Sequence, residues 1–249
     1  MLAIAGGKGG SGKTTTTLGL ARAVDGPTLA VDADCDLPNL HALAGVPRAA
    51  APGGRGHPDP ASSSGDTRIV PAPRDAPDGI GGRLRRIRER EAARSPVAVG
   101  DDAFDGRGGS SVGDERAGRR GSGGRSADHE DAADPVPVFV DCPAGAGPDA
   151  TVPLRVADDV LIVATPCVAA LRDAAKTAAM ARAVGTPVVG AVLTRARLAP
   201  PGVEDLLECR VLGTVPPASA SRVGEPLRDP TVSRAYDELA ERLTDRPNT

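Results

Sequence analysis

Aromatic side chains are nearly missing from this 249-residue chain: two Phe, one Tyr and no Trp, at Phe104, Phe139 and Tyr236. Any core must therefore be packed from Val, Leu, Ile and Ala. The ring platforms on which single-stranded nucleic acids stack are excluded. Lysine is almost as scarce, since Lys8, Lys13 and Lys176 are the only lysines among 30 basic residues. The four cysteines, Cys35, Cys142, Cys167 and Cys209, contain no C-x-x-C pair, which argues against a zinc knuckle and for free thiols in a reducing compartment. No apolar run approaches the length of a bilayer span, and no basic segment followed by a long apolar stretch opens the chain. The expected location is cytoplasmic. A net charge of -3 marks neither a nucleic-acid binder nor an acidic tail.

Glycine, by contrast, is concentrated where it has chemical meaning. The stretch Gly6-Gly7-Lys8-Gly9-Gly10-Ser11-Gly12-Lys13-Thr14-Thr15 contains G-x-x-x-x-G-K-[ST], the phosphate-binding loop. The apolar run Leu2-Ala3-Ile4-Ala5 feeds it as a strand, and Thr15, Leu18, Leu20, Ala21 and Val24 give the stripe of a helix leaving it. Backbone N–H groups of Gly7, Gly9, Gly10, Ser11 and Gly12 can turn inward around a phosphate, at the positive end of that helix. Lys13 then supplies a mobile charge for the β- and γ-phosphates, and the Thr14 hydroxyl a ligand for Mg²⁺. Two of the three lysines sit in this loop, where a compact ammonium suits the task better than a guanidinium.

Further strands are expected at Thr28–Val31, at Thr67–Val70 before Pro71 and Pro73, at Val136–Asp141, Asp159–Thr165, Pro187–Arg195 and Val211–Pro216. Helices are expected at about Gly79–Arg94, Val168–Val184 and Thr231–Leu243. Strands alternating with helices give an α/β fold: a doubly wound, mostly parallel sheet with helices on both faces, Rossmann-like, of the P-loop NTPase type. Asp32, Asp34 and Asp36 follow the second strand, where ligands bind in open parallel sheets; three acids so close repel one another unless a cation or solvent relieves them. The apolar strand ending at Asp141 is the expected second half of a phosphate-loop site, its carboxylate holding the Mg²⁺ hydration shell.

The middle of the chain is compositionally different. From about Arg48 to Pro135 it is rich in Gly, Pro, Arg, Asp and Ser. The helix at Gly79–Arg94 carries six arginines, a basic face that is either solvated or able to dock DNA or an anionic membrane. Gly100–Pro135 has only Phe104 and Val112 as large apolar residues, too few to offset the entropy of ordering it. The expectation is a single domain over residues 1–249 interrupted by a low-complexity, disordered insertion at about 96–135.

The form K-G-G-x-G-K-T-T, together with D-x-D at Asp32–Asp34 and D-x-P-A-G at Asp141–Gly145, resembles the deviant phosphate loop and switch sequences of the MinD/ParA family of ATPases. The resemblance covers Met1 to about Pro47 and Pro135 onward. It implies an ATP- and Mg²⁺-dependent switch that forms a homodimer with ATP, hydrolyses it slowly and then separates, recruiting a protein partner or cargo in the dimeric state. It further implies that Lys8 reaches the partner subunit's phosphates, that Asp34 orients the attacking water, that Asp32 and Asp141 stand on the Mg²⁺ side, and that Gly145 senses the γ-phosphate. Thr194, Arg195 and Pro216 fall where the family contacts or covers adenine. Asp36 stands where MinD proteins often have glycine. The stretch after the last helix lacks the apolar face of the amphipathic membrane anchor of cell-division MinD. Two other readings share the loop: a metabolic ligase or metal-cluster carrier of the same superfamily, the carrier lacking here its paired cysteines, and a nucleotide-binding regulator that does not hydrolyse.

Overall fold

Short runs of Val, Ile, Leu and Ala, apolar on both faces, can be satisfied only between two layers of helix. The computed structural model describes residues 1–7, 9–48, 62–73, 79–94, 136–145, 147–219, 221 and 225–245. Within them the elements are β1 (Leu2–Ala5), α1 (Lys13–Ala23), β2 (Thr28–Asp32), α2 (Leu40–Leu43), β3 (Ser62–Ser64), β4 (Thr67–Val70), α3 (Gly79–Ala92) and β5 (Val138–Asp141). There follow α4 (Pro148–Val156), β6 (Asp159–Ala164), α5 (Val168–Ala183), β7 (Val188–Thr194), α6 (Val203–Leu207), β8 (Val211–Val215), a 3-10 turn at Pro226–Arg228 and α7 (Pro230–Thr244). Lys8 and the expected insertion at 96–135 lie outside the described residues.

The strands form one sheet in the order β3-β4-β2-β5-β1-β6-β7-β8, in which seven run parallel and β3 pairs antiparallel with β4. This is the α/β, doubly wound, mostly parallel sheet expected. Alternation along each strand divides the core in two. Ala3, Ala5, Val160 and Ile162 face the layer of α3, α4, α5 and α6, whereas Ile4, Leu161 and Val163 face α1, α2 and α7. On α5 the inward positions include Ala174, Ala178 and Ala181, all fully buried, so small side chains bring this helix close to the sheet. Strand β1 lies between β5 and β6, and the C-terminal ends of β1, β2, β5, β7 and β8 share one edge.

Helix α4 has no counterpart in the sequence reading. Pro153 in its interior hides it, while burial of Ala150, Leu154 and Val156 outweighs the missing N–H. The arginines of α3 do not form one uniform face. Arg83 is buried and donates to the Pro71 carbonyl at 2.7 Å, and Arg88 pairs with Asp158 at 2.5 Å.

Helix α7 packs on α1 through Val232, Tyr236, Leu239 and Ala240. The Tyr236 ring lies over Gly19, where an added Cβ would stand 2.5 Å from the ring carbon Cδ2. Gly19→Ala should therefore lower stability by about 1–3 kcal/mol through overpacking. Urea unfolding should show a lower midpoint for the variant; an unchanged midpoint would mean that the α1–α7 seam is looser than this packing.

Candidate nucleotide-binding site

The site is assembled at the C-terminal edge of the sheet, where the loop after β1 turns into α1. Gly12 is the N-cap of α1 with φ 93°, a left-handed conformation that side chains resist, and the first residue of the helix is Lys13. A cavity of about 800 Å³ opens above this turn. Gly9, Gly10, Gly12, Lys13, Thr14 and Thr15 line its floor, and Asp34 stands on its wall. At the other end Val215, Pro216, Pro217, Ala218, Val232 and Tyr236 make the lining apolar. A polar, amide-rich floor and an apolar far wall match a ligand with a phosphate end and a flat, weakly polar end.

Gly7 is placed behind the floor: an added Cβ would stand 2.3 Å from the backbone carbon of Asp173 on α5, so the loop and that helix are in van der Waals contact. The Asp173 carboxylate pairs along its own helix with Lys176 at 3.2 Å. Ser11 is buried and its Oγ has no hydrogen-bond partner among the described residues. Gly145 has φ 100° and is half-buried; its neighbour Ala144, rather than Gly145 itself, lines the cavity.

Beneath the floor lie two carboxylates. Asp32 and Asp141 end the adjacent strands β2 and β5 in register, and both are buried. Burial pushes the Asp141 carboxyl up to about 7, against the Thr14 hydroxyl that hydrogen-bonds it; nearby Asp32 raises it and Lys13 lowers it. Its Oδ1 has no hydrogen-bond partner among the described residues. Asp32, pushed by burial up to about 6, accepts the Asp34 amide on Oδ1 at 3.0 Å and the Leu40 amide on Oδ2 at 3.1 Å. Asp32 thereby fixes the path of the loop that carries Asp34, whose own Oδ1 accepts the Leu37 amide at 3.0 Å. Lys13 is 7 % exposed; burial lowers its pKa, and the negative charge of Asp141 is the largest influence opposing that. An orphaned, buried carboxylate oxygen beside a threonine hydroxyl is a fitting donor set for a hard divalent cation, directly or through its water shell.

Thr194 and Arg195 do reach the site, but their hydrogen bonds go to the phosphate loop. The Thr194 hydroxyl donates to the Ser11 carbonyl at 2.6 Å, and the Arg195 guanidinium donates to the Gly10 carbonyl. Both also line the cavity. Among the lining residues not singled out from the sequence as site residues are Leu37, 75 % exposed on the Asp34 loop, buried Cys142, and Tyr236, whose hydroxyl is 3.2 Å from Thr16 Oγ1. Cys142 could have been found from its place directly after Asp141; nothing local marks Tyr236.

The raised Asp141 carboxyl has a thermodynamic consequence. A carboxyl whose folded pKa is raised binds its proton more tightly in the folded than in the unfolded chain, so it opposes folding increasingly as pH rises from about 4 to about 7. Without divalent cation, Asp141→Asn should stabilise the protein relative to wild type, more at pH 8 than at pH 5. Melting temperatures of the two proteins at both pH values check this, and Mg²⁺ should narrow the gap at pH 8.

The family described as the CobQ/CobB/MinD/ParA nucleotide binding domain matches residues 2–223. An uncharacterized ATP-binding protein of Methanocaldococcus jannaschii is 28 % identical over 266 residues, spanning 97 % of this chain and 86 % of that protein. Among solved structures, the septum site-determining protein MinD of Pyrococcus horikoshii, complexed with Mg-ADP, superposes with a TM-score of 0.68 at 21 % identity, over 98 % of this chain and 95 % of that one. A chain of the MinC:MinD cell division protein complex of Aquifex aeolicus gives 0.68 at 20 % identity, over 100 % of this chain and 97 % of that one. With the phosphate loop, the strand-end carboxylates and the sheet order in place, the chain belongs to the CobQ/CobB/MinD/ParA nucleotide-binding family.

Proposed function

We propose that this protein is a single-domain, Mg²⁺-dependent ATPase of the MinD/ParA type that forms a homodimer with ATP and releases it after slow hydrolysis. The observation that carries this reading is the buried Asp141 Oδ1, without a hydrogen-bond partner among the described residues, beside Thr14 and Lys13 under a glycine-rich loop. Thr14 and Asp141 would hold Mg²⁺, with Asp32 bracing the loop beside them. The ion, when bound, neutralises phosphate charge and so favours phosphoryl transfer. Backbone amides of Gly9, Gly10 and Gly12 bind the phosphate chain, Lys13 compensates its charge, and Asp34 orients water at the cavity wall. Pro216 and its neighbours cover the base. Two consecutive prolines there have no N–H to donate, so this wall can meet the amino group of adenine only as an acceptor.

Dimerisation is supported by what the rim of the cavity leaves uncovered. Leu37, 75 % exposed beside Asp34, is a large apolar side chain at the mouth of a polar site, where a second copy would cover it. Lys8 would then act across the interface on the partner's phosphates, and Gly145 would sense the γ-phosphate. The output would be a spatial or regulatory switch that recruits a protein cargo, on DNA or on a membrane surface. Among the described residues no helix is long and apolar enough to cross a membrane, and the apolar stripe of α7 is spent on α1.

The deciding experiment is the molar mass in solution of Asp34→Ala with Mg²⁺ and ATP against ADP. A dimer with ATP and a monomer with ADP is expected; a monomer in both would rule out the ATP-dependent dimer. Lys13→Ala should weaken ATP binding on the order of a hundredfold, about 3 kcal/mol, by calorimetry. Lys8→Ala should leave ATP binding by the monomer largely intact and prevent the dimer, so equal loss of both would remove the cross-subunit role.

A further inference from the structure

Helix α7 is tied to the surroundings of the nucleotide cavity at two points, and the first is its N-cap. Asp229 is 5 % exposed and spends its two oxygens on different elements. Its Oδ1 accepts the Thr231 amide at 3.0 Å and the Thr231 hydroxyl at 2.7 Å, which caps the helix. Its Oδ2 accepts the Ser219 amide at 2.8 Å, which closes the end of the segment Val215–Ala218 that lines the cavity. That segment begins at the end of β8, where the Val215 carbonyl accepts the Ala196 amide at 3.0 Å. Between these anchors Pro216 and Pro217 have no amide to contribute. The second point is Tyr236, whose ring lies on Gly19 and whose hydroxyl meets Thr16, one turn into the helix that begins with Lys13.

We propose that Asp229 is a positioning residue for the nucleotide base: its carboxylate ties the Val215–Ser219 wall to α7, and α7 is locked through Tyr236 to the helix of the phosphate loop. The proposal rests on the nucleotide-binding reading above. The chemistry is one of pre-organisation. A wall held only at Val215 must be ordered when the base arrives, and the lost chain entropy is subtracted from affinity; a wall already clasped at both ends avoids that cost. The span between base wall and phosphate floor is then set by the protein before ligand enters. Donated hydrogen bonds from Ser219 and Thr231 hold the Asp229 carboxyl well below the usual carboxylate range, so the clasp stays ionised under ordinary conditions.

Asp229→Asn separates the two duties of this side chain. Asparagine keeps one acceptor oxygen for the Thr231 amide and is an equally good N-cap, but it turns an NH₂ toward the Ser219 amide, donor against donor. The measurement is calorimetric affinity of wild type and Asp229→Asn for ATP and for inorganic tripolyphosphate, both with Mg²⁺, alongside the melting temperature. The expected result is ATP binding weakened about tenfold with tripolyphosphate binding unchanged, and a melting temperature lowered by the lost Ser219 hydrogen bond. Unchanged ATP affinity would overturn the clasp while leaving the nucleotide site standing. Equal weakening of ATP and tripolyphosphate would also overturn it, because the base would then have no part in the effect. A wild-type protein that binds neither ligand would remove the nucleotide reading and the proposal with it.

Discussion

The site is organised by a charge imbalance that the fold itself enforces. Parallel pairing in register sets Asp32 of β2 beside Asp141 of β5, both buried, and the loop after β2 adds Asp34 at the cavity wall. Against these three acids the described residues of the site bring the buried ammonium of Lys13 and the more exposed guanidinium of Arg195. Removing charges from water costs several kcal/mol per ion even after relaxation, so such an arrangement is stable only when protonated or supplied with cation. Burial raises the carboxyls of both Asp32 and Asp141, in the direction of the first. A divalent cation with a polyphosphate is the other, and Thr14 and Asp141 are the residues that would hold it.

What positions these groups is mostly backbone. The phosphate loop is held from behind by α5, which presses on Gly7, and from above by Thr194 and Arg195, which donate to the Ser11 and Gly10 carbonyls. Two of the loop's carbonyls are thus taken up by side chains at the end of β7. Small residues recur at every close approach: Gly7 under α5, Gly19 under Tyr236 and the alanines of α5 against the sheet. An aromatic-poor core is the natural partner of such tight spacing, since thin interlayer gaps admit few rings.

Much of this was legible in the sequence, and the reasons are local. The phosphate loop is a contiguous motif between a strand and a helix, so its backbone geometry is encoded in ten neighbouring residues. Asp32 and Asp141 could be read because each ends an apolar run, and in a parallel sheet the ends of such runs converge. The remainder depends on topology. Tyr236 and Thr16 are separated by 220 residues, and only the packing of α7 on α1 brings them together. Asp229 looks like an ordinary N-cap before Pro230; its second hydrogen bond, to Ser219, appears only when the chain has folded back. Thr194 and Arg195 were read as neighbours of the base and do line the cavity, but their hydrogen bonds to the loop carbonyls cross more than 180 residues and appear only in the folded chain. Helix α4 was obscured by Pro153, where tertiary burial overrides intrinsic preference.

One feature of the α1–α7 seam reaches beyond packing. Tyr236 is the sole tyrosine, and the chain has no tryptophan, so nearly all of its near-ultraviolet emission originates from one phenol. That phenol lies on the cavity wall, shielded from water, with its hydroxyl beside Thr16. The unmodified protein therefore carries an intrinsic optical reporter at the joint between base wall and phosphate helix, where events elsewhere in the molecule contribute almost no background.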